Sequence, residues 1–303
     1  MKKFVKSTPL ALAVASTLAI VFSLSCKQDE VLKTIGDNPP PPDGAIPATA
    51  VDNFVSRSYI SLLGRKPDSS ETAAAVARLN AKQFAASARK EFLLDLTTDS
   101  AYVRRIYDAA NLELLRGLDT FEVIRANESY LEYIANPYED WMKFHLGLFR
   151  YELERNRRLL AADDQLFAAQ ITVRDLHRRM VDNEFYDAIN MGTANFVLSL
   201  FESFLFRNPT DAEYEQATRM VDGKSAALFL RAGNCKEDFL DIFFDSDDYI
   251  AGQIHQIFIS RLLRKPNAVE IQKYSRLMRE TGFDLSVVEA EIMASDEFSG
   301  LKK

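Results

Sequence analysis

Residues 65–71, Arg65-Lys66-Pro67-Asp68-Ser69-Ser70-Glu71, decide the fold class of this chain because their pattern returns twice. The pattern is Arg-x-Pro-x-x-x-Glu. It recurs as Arg207-Asn208-Pro209-Thr210-Asp211-Ala212-Glu213 and as Arg264-Lys265-Pro266-Asn267-Ala268-Val269-Glu270. Four prolines lie beyond residue 50, and three of them stand in this pattern, so coincidence is a poor explanation. The pattern therefore indicates a repeated unit of architecture.

Each copy predicts a joint that ends one helix and begins the next. An Arg at the end of the first helix complements the negative end of the helix dipole, and the residue before Pro is pushed out of helical geometry. The residue after Pro is a good N-cap, and the Glu three positions later completes a capping box. The three N-cap residues are Asp68, Thr210 and Asn267.

The surroundings of the joint repeat as well. An apolar helix precedes each copy, and an acidic step followed by an aromatic residue comes 32 to 40 residues after each Arg. The predicted first helices are 54–63, 196–206 and 254–263. The repeat units of about three helices are then 54–102, 196–249 and 257–298. Together with the other apolar periodicities, this predicts an all-α array of about ten helices, built from three helix-turn-helix-type units plus intervening helices.

The Arg–Glu pairs have two interpretations. One is a binding or catalytic pair; the other is a structural joint, in which the Arg also pairs with an acid of its own unit (Asp99, Asp247 or Asp296). Three copies favour the structural interpretation, because an enzyme seldom needs one acid–base pair three times. The residues assigned to the capping motif are Arg65, Pro67, Glu71, Arg207, Pro209, Glu213, Arg264, Pro266 and Glu270.

The first 25 residues predict a secretory signal peptide. A basic start, an apolar run from Leu10 to Phe22 and small residues before Cys26 resemble a bacterial lipoprotein box, in which Cys26 is acylated. An ordinary signal peptide is the alternative. Residues 26–50 follow as a tether, since Asn38–Gly44 is too rich in Pro for a helix. An acyl chain on Cys26 would hold the protein at a membrane without spanning it.

The remaining chain divides into predicted helical domains at 51–192 and 193–303. Without residues 1–25 it keeps 34 basic and 44 acidic side chains, a net charge of −10. This acidity argues against nucleic acid as a partner. Cys235 is the one cysteine besides Cys26, and a single thiol cannot form an internal disulfide in the mature chain if Cys26 is acylated. We expect the Cys235 thiol to be buried or half-buried.

No cofactor or metal site is predicted. The histidines His145, His177 and His255 have no His or Cys at metal-ligand spacing, and they are expected to lie on helix faces. The acidic patch at 241–248 lacks the pattern of a calcium loop, and capping of helix ends explains it better. No phosphate-binding Gly loop or Gly-x-Ser-x-Gly occurs.

The segment Asn136–Trp141 holds the single Trp of the chain. Tyr138 and Trp141 are candidates for stacking on a ligand if exposed, although a Pro-Tyr-x-x-Trp turn more often packs into a helical core. The run from Arg150 to Arg158, which contains Glu152 and Glu154, predicts a solvated helix face.

Several stretches resemble a known family. Residues 54–67 resemble the start of an uncharacterised bacterial helical domain that is abundant in planctomycetes and often stands beside cytochrome c-like modules. The segments 92–102 and 136–141 are similar to later parts of that domain, and 195–213 to its usual partner domain. The repeats also resemble phycobilisome-linker and adhesin-type modules. Residues 26–30 resemble the export signal of surface lipoproteins of the Bacteroidota. The resemblance implies no activity, and the absence of Cys-x-x-Cys-His excludes c-type haem.

Two functions remain open. The first is an exported outer-membrane lipoprotein, anchored through Cys26, that acts as a non-catalytic binding or scaffolding module. It would contact other envelope proteins or glycans. It would face the outside of the cell if residues 26–30 act as the surface signal, and the periplasm if they do not. The second is an envelope hydrolase or redox-associated accessory enzyme whose carboxylates converge only in the fold. Whether the protein is an enzyme is left undecided, with the binding module favoured.

Overall fold

The structure is a computed structural model, and it describes residues 46–301. Of these residues 74% are helical, in 17 helices with one two-stranded sheet, which confirms the predicted all-α helical array. The predicted signal peptide, Cys26 and most of the tether lie outside the described residues. None of the helices found between residues 46 and 301 is long and apolar enough to cross a membrane.

The helices are more numerous than the ten or so predicted. The first ten are α1 Ala48–Leu63, α2 Ser69–Ala81, α3 Ala86–Thr97, α4 Ser100–Leu115, α5 Thr120–Ala135, α6 Asp140–Phe144, α7 Leu146–Leu160, α8 Ala162–Phe167, α9 Val173–Val181 and α10 Glu184–Ile189. The other seven are α11 Thr193–Leu200, α12 Asp211–Val221, α13 Lys236–Phe244, α14 Asp247–Ile257, α15 Ala268–Glu280, α16 Leu285–Met293 and α17 Asp296–Ser299.

Three units of three helices repeat along the chain. They are α1–α3, α11–α13 and α14–α16, and in each the joint connects the first helix to the second. The sequence suggested a short gap between the second and third units, but in the structure the third unit follows the second directly. The helix expected at 254–263 begins at Asp247 instead, so α14 carries the acidic step of one unit and is the first helix of the next. Five-residue π-helical turns, Phe201–Leu205 and Phe258–Leu262, continue α11 and α14 up to their joints.

A short β-hairpin between α12 and α13 is the feature that the sequence did not predict. Strand β1, Ala226–Leu228, pairs antiparallel with β2, Arg231–Gly233, with Leu228 opposite Arg231. The two turn residues, Phe229 and Leu230, have φ of +49° and +63°. Such a turn normally takes Asn-Gly or Asp-Gly, so Phe-Leu gives no sequence signature of a hairpin.

Two hydrophobic clusters hold the described residues together. The smaller packs α1–α3 against α16 and α17, with Phe54 meeting Phe84 and Phe298 edge to face. The larger contains most of the remaining buried apolar side chains, from Ala110 to Ile292. Both clusters contain residues from each side of position 192/193, so the ranges 51–192 and 193–303 share their cores.

A buried guanidinium holds the C-terminal helix against the first unit. Arg89 donates to the carbonyl oxygens of Phe84 and Ala294 at 3.0 and 2.8 Å, and to Asp296 at 2.5 Å. Arg57 donates to the carbonyl of Phe298 at 2.6 Å. The first and third repeat units therefore contact each other directly, although about 150 residues of chain separate them.

The intervening helices present a helical pair to solvent. Helix α5 packs along α7, and the short α6 connects them. Helix α7 also contacts α8 and α9, which joins the pair to the body of the protein. Only Val123 and Asn127 of α5 are buried, whereas α7 buries one face with Phe149, Leu153 and Leu159.

Candidate functional site

The three Arg–Glu pairs form the same contacts. In each, the guanidinium donates two parallel hydrogen bonds to the carboxylate, and a third to the carbonyl oxygen of the next residue at 3.1 to 3.3 Å. The paired distances are 2.8 and 2.6 Å for Arg65–Glu71, 2.8 and 2.7 Å for Arg207–Glu213, and 2.9 and 2.6 Å for Arg264–Glu270. Pro67, Pro209 and Pro266 lie in the loops between the paired helices.

The same carboxylates also cap the second helix of each unit. A reciprocal capping box occurs at Asp68, Thr210 and Asn267, where the Glu accepts from the N-cap amide at 2.7 to 2.8 Å. The hydrogen bonds from Arg207 and Thr210 lower the pKa of Glu213 to about 2. Each Glu is thus occupied by the end of one helix and the start of the next, which gives the pair a complete structural role.

Two further contacts of the Arg complete the joint. The guanidinium lies over the aromatic ring six residues earlier, at 5.3 Å for Tyr59, 5.2 Å for Phe201 and 4.9 Å for Phe258. Arg207 and Arg264 also bind a second carboxylate, that of Asp248 at 2.5 Å and of Glu297 at 2.6 Å. In the first unit Ala101 stands at the matching position, immediately before the aromatic residue of the step.

The acids expected to pair with these arginines have other partners. Asp99 caps α4, Asp247 pairs with Arg279 at 2.5 Å, and Asp296 pairs with Arg89. The expectation was wrong by one residue in the second and third units, because the first turn of the helix directs its second acid toward the joint.

The acidic patch at 241–248 is also explained by arginines rather than by capping. Asp241 pairs with Arg178 at 2.8 Å, and Asp245 pairs with Arg231 at 2.7 Å. The helix cap at this point is Ser246. Among residues 46–301, no three His, Cys, Asp or Glu side chains come close enough together to hold a metal ion.

The segment around Tyr138 and Trp141 is exposed rather than packed into the core. Trp141, Phe144, Leu148 and Tyr151 follow one another at helical spacing along α6 and α7, with exposed fractions of 51%, 85%, 49% and 37%. We call these four residues the apolar stripe. Tyr138, 69% exposed, lies just before its N-terminal end. An amphipathic helix of a soluble monomer normally turns such a stripe inward.

Contacts beneath the stripe hold it in place. The ring of Trp141 meets those of Phe149 and Tyr133 at centroid distances of 6.0 and 6.2 Å. His145 Nδ1 lies 2.7 Å from the carbonyl oxygen of Trp141. Tyr151 donates from its hydroxyl to Glu237, and Arg155 lies over its ring. The stripe is therefore supported at both ends.

A buried polar network lies behind α7. Arg155 is 3% exposed and pairs with Glu152 at 3.0 Å, Asp182 at 3.1 Å and Asp187 at 2.8 Å. Lys236 also binds Asp187, at 2.5 Å. The prediction of a solvated face for 150–158 holds for Arg150, Glu154 and Arg157, which are exposed. It was wrong for Arg155, because acids from the α9–α10 region cover and neutralise this residue.

The network gathers more carboxylates on its far side. Glu184 accepts from Asn156 at 2.7 Å and from the hydroxyl of Tyr130 at 2.5 Å. Burial raises the pKa of Glu152. Asp182 Oδ1, although close to Arg155, has no hydrogen bond within the described residues, and neither does Asn156 Oδ1. Arg155 and Lys236 occupy the space between the acids, which disfavours their use as a free acid–base pair.

His145 lies beneath the stripe, and Cys235 contacts Glu237, the acceptor of the Tyr151 hydroxyl. The other two histidines lie elsewhere. His177 contacts the hydroxyl of Tyr249 at 2.9 Å, and burial lowers its pKa to about 4. His255 lies against the ring of Phe206 on another helix. Cys235 is half-buried, as predicted, and its sulfur caps α13.

Comparisons with protein-family models, with curated protein sequences and with solved structures each found no match for this chain. The resemblances to the planctomycete-type domain, to the linker and adhesin-type modules and to surface lipoproteins therefore stay predictions. The sequence identified Tyr138 and Trp141 as part of an exposed surface only conditionally. It missed Phe144, Leu148 and Tyr151, although their spacing from Trp141 was a visible signature of a shared helix face.

Proposed function

We propose that this protein is an exported, membrane-anchored binding module of the cell envelope, which contacts its partner through the apolar stripe. The proposed lipidation of Cys26 and the tether would hold the helical body near a membrane and leave α5–α7 free to reach a partner. The partner class is another envelope protein or a glycan, since aromatic side chains serve both kinds of contact.

The observation that carries this proposal is the exposure of Trp141, Phe144, Leu148 and Tyr151 on a helix face that no other part of residues 46–301 covers. Leaving Phe144 85% exposed gives up hydrophobic stabilisation of roughly 1.5–3 kcal/mol that a buried Phe would supply. A partner that covers the stripe would recover it. The Arg–Glu joints offer no comparable surface, because their charges are already paired.

The binding proposal is tested with a double variant, Phe144→Ser with Leu148→Ser. The control is Val269→Ser, which removes a 75% exposed apolar side chain from α15, on a different part of the surface. We expect binding to detergent-solubilised envelope proteins or to a glycan array to fall at least tenfold in the stripe variant and to stay unchanged in the control. Equal binding by the two variants would contradict the proposal.

The anchor is tested separately, on the full chain. We expect metabolic labelling with an alkyne fatty acid to mark the wild type and not Cys26→Ser, and the variant to move from the membrane fraction to the soluble fraction. An unlabelled wild type, found with Cys26→Ser in the soluble fraction, would favour an ordinary signal peptide instead.

A second candidate is the envelope hydrolase or redox-associated enzyme, and the observation that favours a hydrolase is the group of acids around Arg155. Glu152, with its raised pKa, is the residue in that group best suited to donate a proton. A panel of glycoside and ester substrates tests this candidate. Turnover that is abolished by Glu152→Gln in a variant of unchanged stability would support the enzyme, and absence of turnover across the panel would remove it.

A further inference from the structure

The structure contains a second unassigned site, away from the apolar stripe and independent of the proposed function. We infer that a cleft at the junction of the two hydrophobic clusters binds a small, compact, uncharged apolar molecule. The cleft has a volume of about 330 Å³. It is bounded by α4, by the loop from α8 to α9, and by the loop from α15 to α16. A volume above about 300 Å³ lies in the range of ligand pockets.

Apolar side chains form most of the cleft wall. Val103 and Ile106 reach it from α4, Leu166 and Ile171 from the second side, and Phe283 from the third. Val103 and Ile106 pack against both hydrophobic clusters, so the cleft marks a place where the two clusters do not close on each other. Filling it would remove these side chains from water, which is the favourable contribution that an apolar ligand gains.

The hydroxyl groups in the wall are already engaged. Thr97 and Thr281 each donate to a carbonyl oxygen of their own helix at 2.8 Å, and Thr172 donates to Asp175 at 2.8 Å. Tyr102 donates to the buried carboxylate of Glu289 at 3.1 Å. A ligand that required several hydrogen bonds would compete with these contacts, so the cleft selects for a molecule with few polar groups.

Charge in the wall disfavours an anion. Asp284 contributes a carboxylate, and no Lys or Arg lines the cleft within the described residues. Glu289 lies behind Tyr102, and its charge is balanced by Arg261 at 2.6 Å, so Asp284 is the carboxylate that an anion in the cleft would face. A fatty-acid carboxylate or a phosphate would therefore be repelled where a neutral molecule of the same shape would not.

The size and rigidity of the cleft restrict the class of ligand further. An apolar cavity of about 150 Å³ holds a benzene molecule, so a cleft of about 330 Å³ fits on the order of 15 non-hydrogen atoms, such as two or three small rings. The wall residue Phe283 is fixed by Arg174, whose guanidinium lies 4.0 Å from the centre of its ring. The cleft is thus pre-formed, which lowers the entropic cost of binding.

A pair of fluorescent probes tests both the site and its charge preference. N-phenyl-1-naphthylamine is neutral, and 8-anilinonaphthalene-1-sulfonate is the same scaffold with a sulfonate. We expect the purified protein to bind the neutral probe at one saturable site, and the sulfonate at least tenfold more weakly. Ile171→Trp, which fills the cleft, should weaken binding of the neutral probe at least tenfold. Val103→Phe is a smaller filling change for use if Ile171→Trp does not fold.

Two controls separate the cleft from other apolar surfaces. Ile124→Trp makes the same substitution at an exposed position of α5, outside the cleft. The double variant Phe144→Ser with Leu148→Ser removes the apolar stripe. Both should bind the neutral probe within twofold of the wild type. The inference is overturned if a folded cleft-filling variant binds as well as the wild type, if binding is lost with the stripe, or if the sulfonate binds as tightly as the neutral probe.

Discussion

Replacing Arg264 with Met will lower the stability of the folded protein and leave partner binding intact. Arg264 donates to Glu270 at 2.9 and 2.6 Å and to Glu297 at 2.6 and 2.7 Å, and so ties the end of α14 to the starts of α15 and α17. Met keeps the length of the apolar stem and removes every one of these hydrogen bonds. The two carboxylates then face each other without the cation between them.

The size of the expected loss in unfolding free energy follows from the exposed fractions of the three side chains, which are 33% for Arg264, 23% for Glu270 and 26% for Glu297. Fully exposed ion pairs contribute about 0.2–1 kcal/mol each, whereas hydrogen bonds to charged groups out of water contribute about 1.5–3 kcal/mol. Two half-buried pairs therefore place the loss near 2 kcal/mol. For the 256 described residues that corresponds to a fall in Tm of roughly 4 °C.

Thermal unfolding followed by circular dichroism measures the loss. Lys265→Met is the matched control, because it removes the neighbouring exposed cation, and its Tm should stay within about 1 °C of the wild type. The structural interpretation of the joints would be refuted if Arg264→Met kept the wild-type Tm but lost binding to a partner that the wild type binds.

Three further predictions concern single residues of the described body. Leu263 ends its helix with φ of +56° and an 86% exposed side chain, so Leu263→Gly should stabilise the protein by up to about 1 kcal/mol. Gly64 has φ of +73°, so Gly64→Ala should destabilise the protein by about 1–2 kcal/mol. Equal denaturant midpoints for the two variants would contradict this prediction. Burial lowers the pKa of His177 from 6.5 to about 4, so the free energy of unfolding should fall by at most about 3 kcal/mol as the pH drops from 6.5 to 4. This loss should be smaller in His177→Gln. Identical pH profiles of stability for the variant and the wild type would contradict the assignment. Arg155→Met should cost about 3–5 kcal/mol in urea unfolding, because the mostly buried carboxylate of Glu152 loses the guanidinium that pairs with it and Asp182 keeps only Arg178. A loss under 1 kcal/mol would show that the network is hydrated instead.

The joints were predictable because their determinants are local. Pro67 and its two counterparts forbid continuation of the helix, and an N-cap followed three residues later by Glu favours a new one, wherever the joint lies in the fold. Asp222 and Gly223, which end α12, are predictable for the same reason. The all-α class follows from these boundaries and from the apolar periodicity between them.

The environment of α7 was not predictable because distant parts of the chain determine it. The burial of Arg155 depends on Asp182 and Asp187, which reach it from α9 and α10. The exposure of Trp141 depends on how the other helices of residues 46–301 pack, none of which covers it. Periodicity indicates which residues share a face but not what covers that face. The cleft was hidden from the sequence for a similar reason, since Phe283 and Ile106 meet only when the third unit packs near the first.

Site-specific photo-cross-linking in intact cells provides the sharpest test of the stripe as a binding surface. A photoreactive amino acid is placed at position 144 or 148 of the full-length chain, and at position 269 as a control with a side chain that is 75% exposed. We predict a discrete cross-linked species from positions 144 and 148 that position 269 does not give, and its loss when Trp141 is replaced with Ser. No cross-linking above the level at position 269, in cells that export the protein normally, would contradict the proposal.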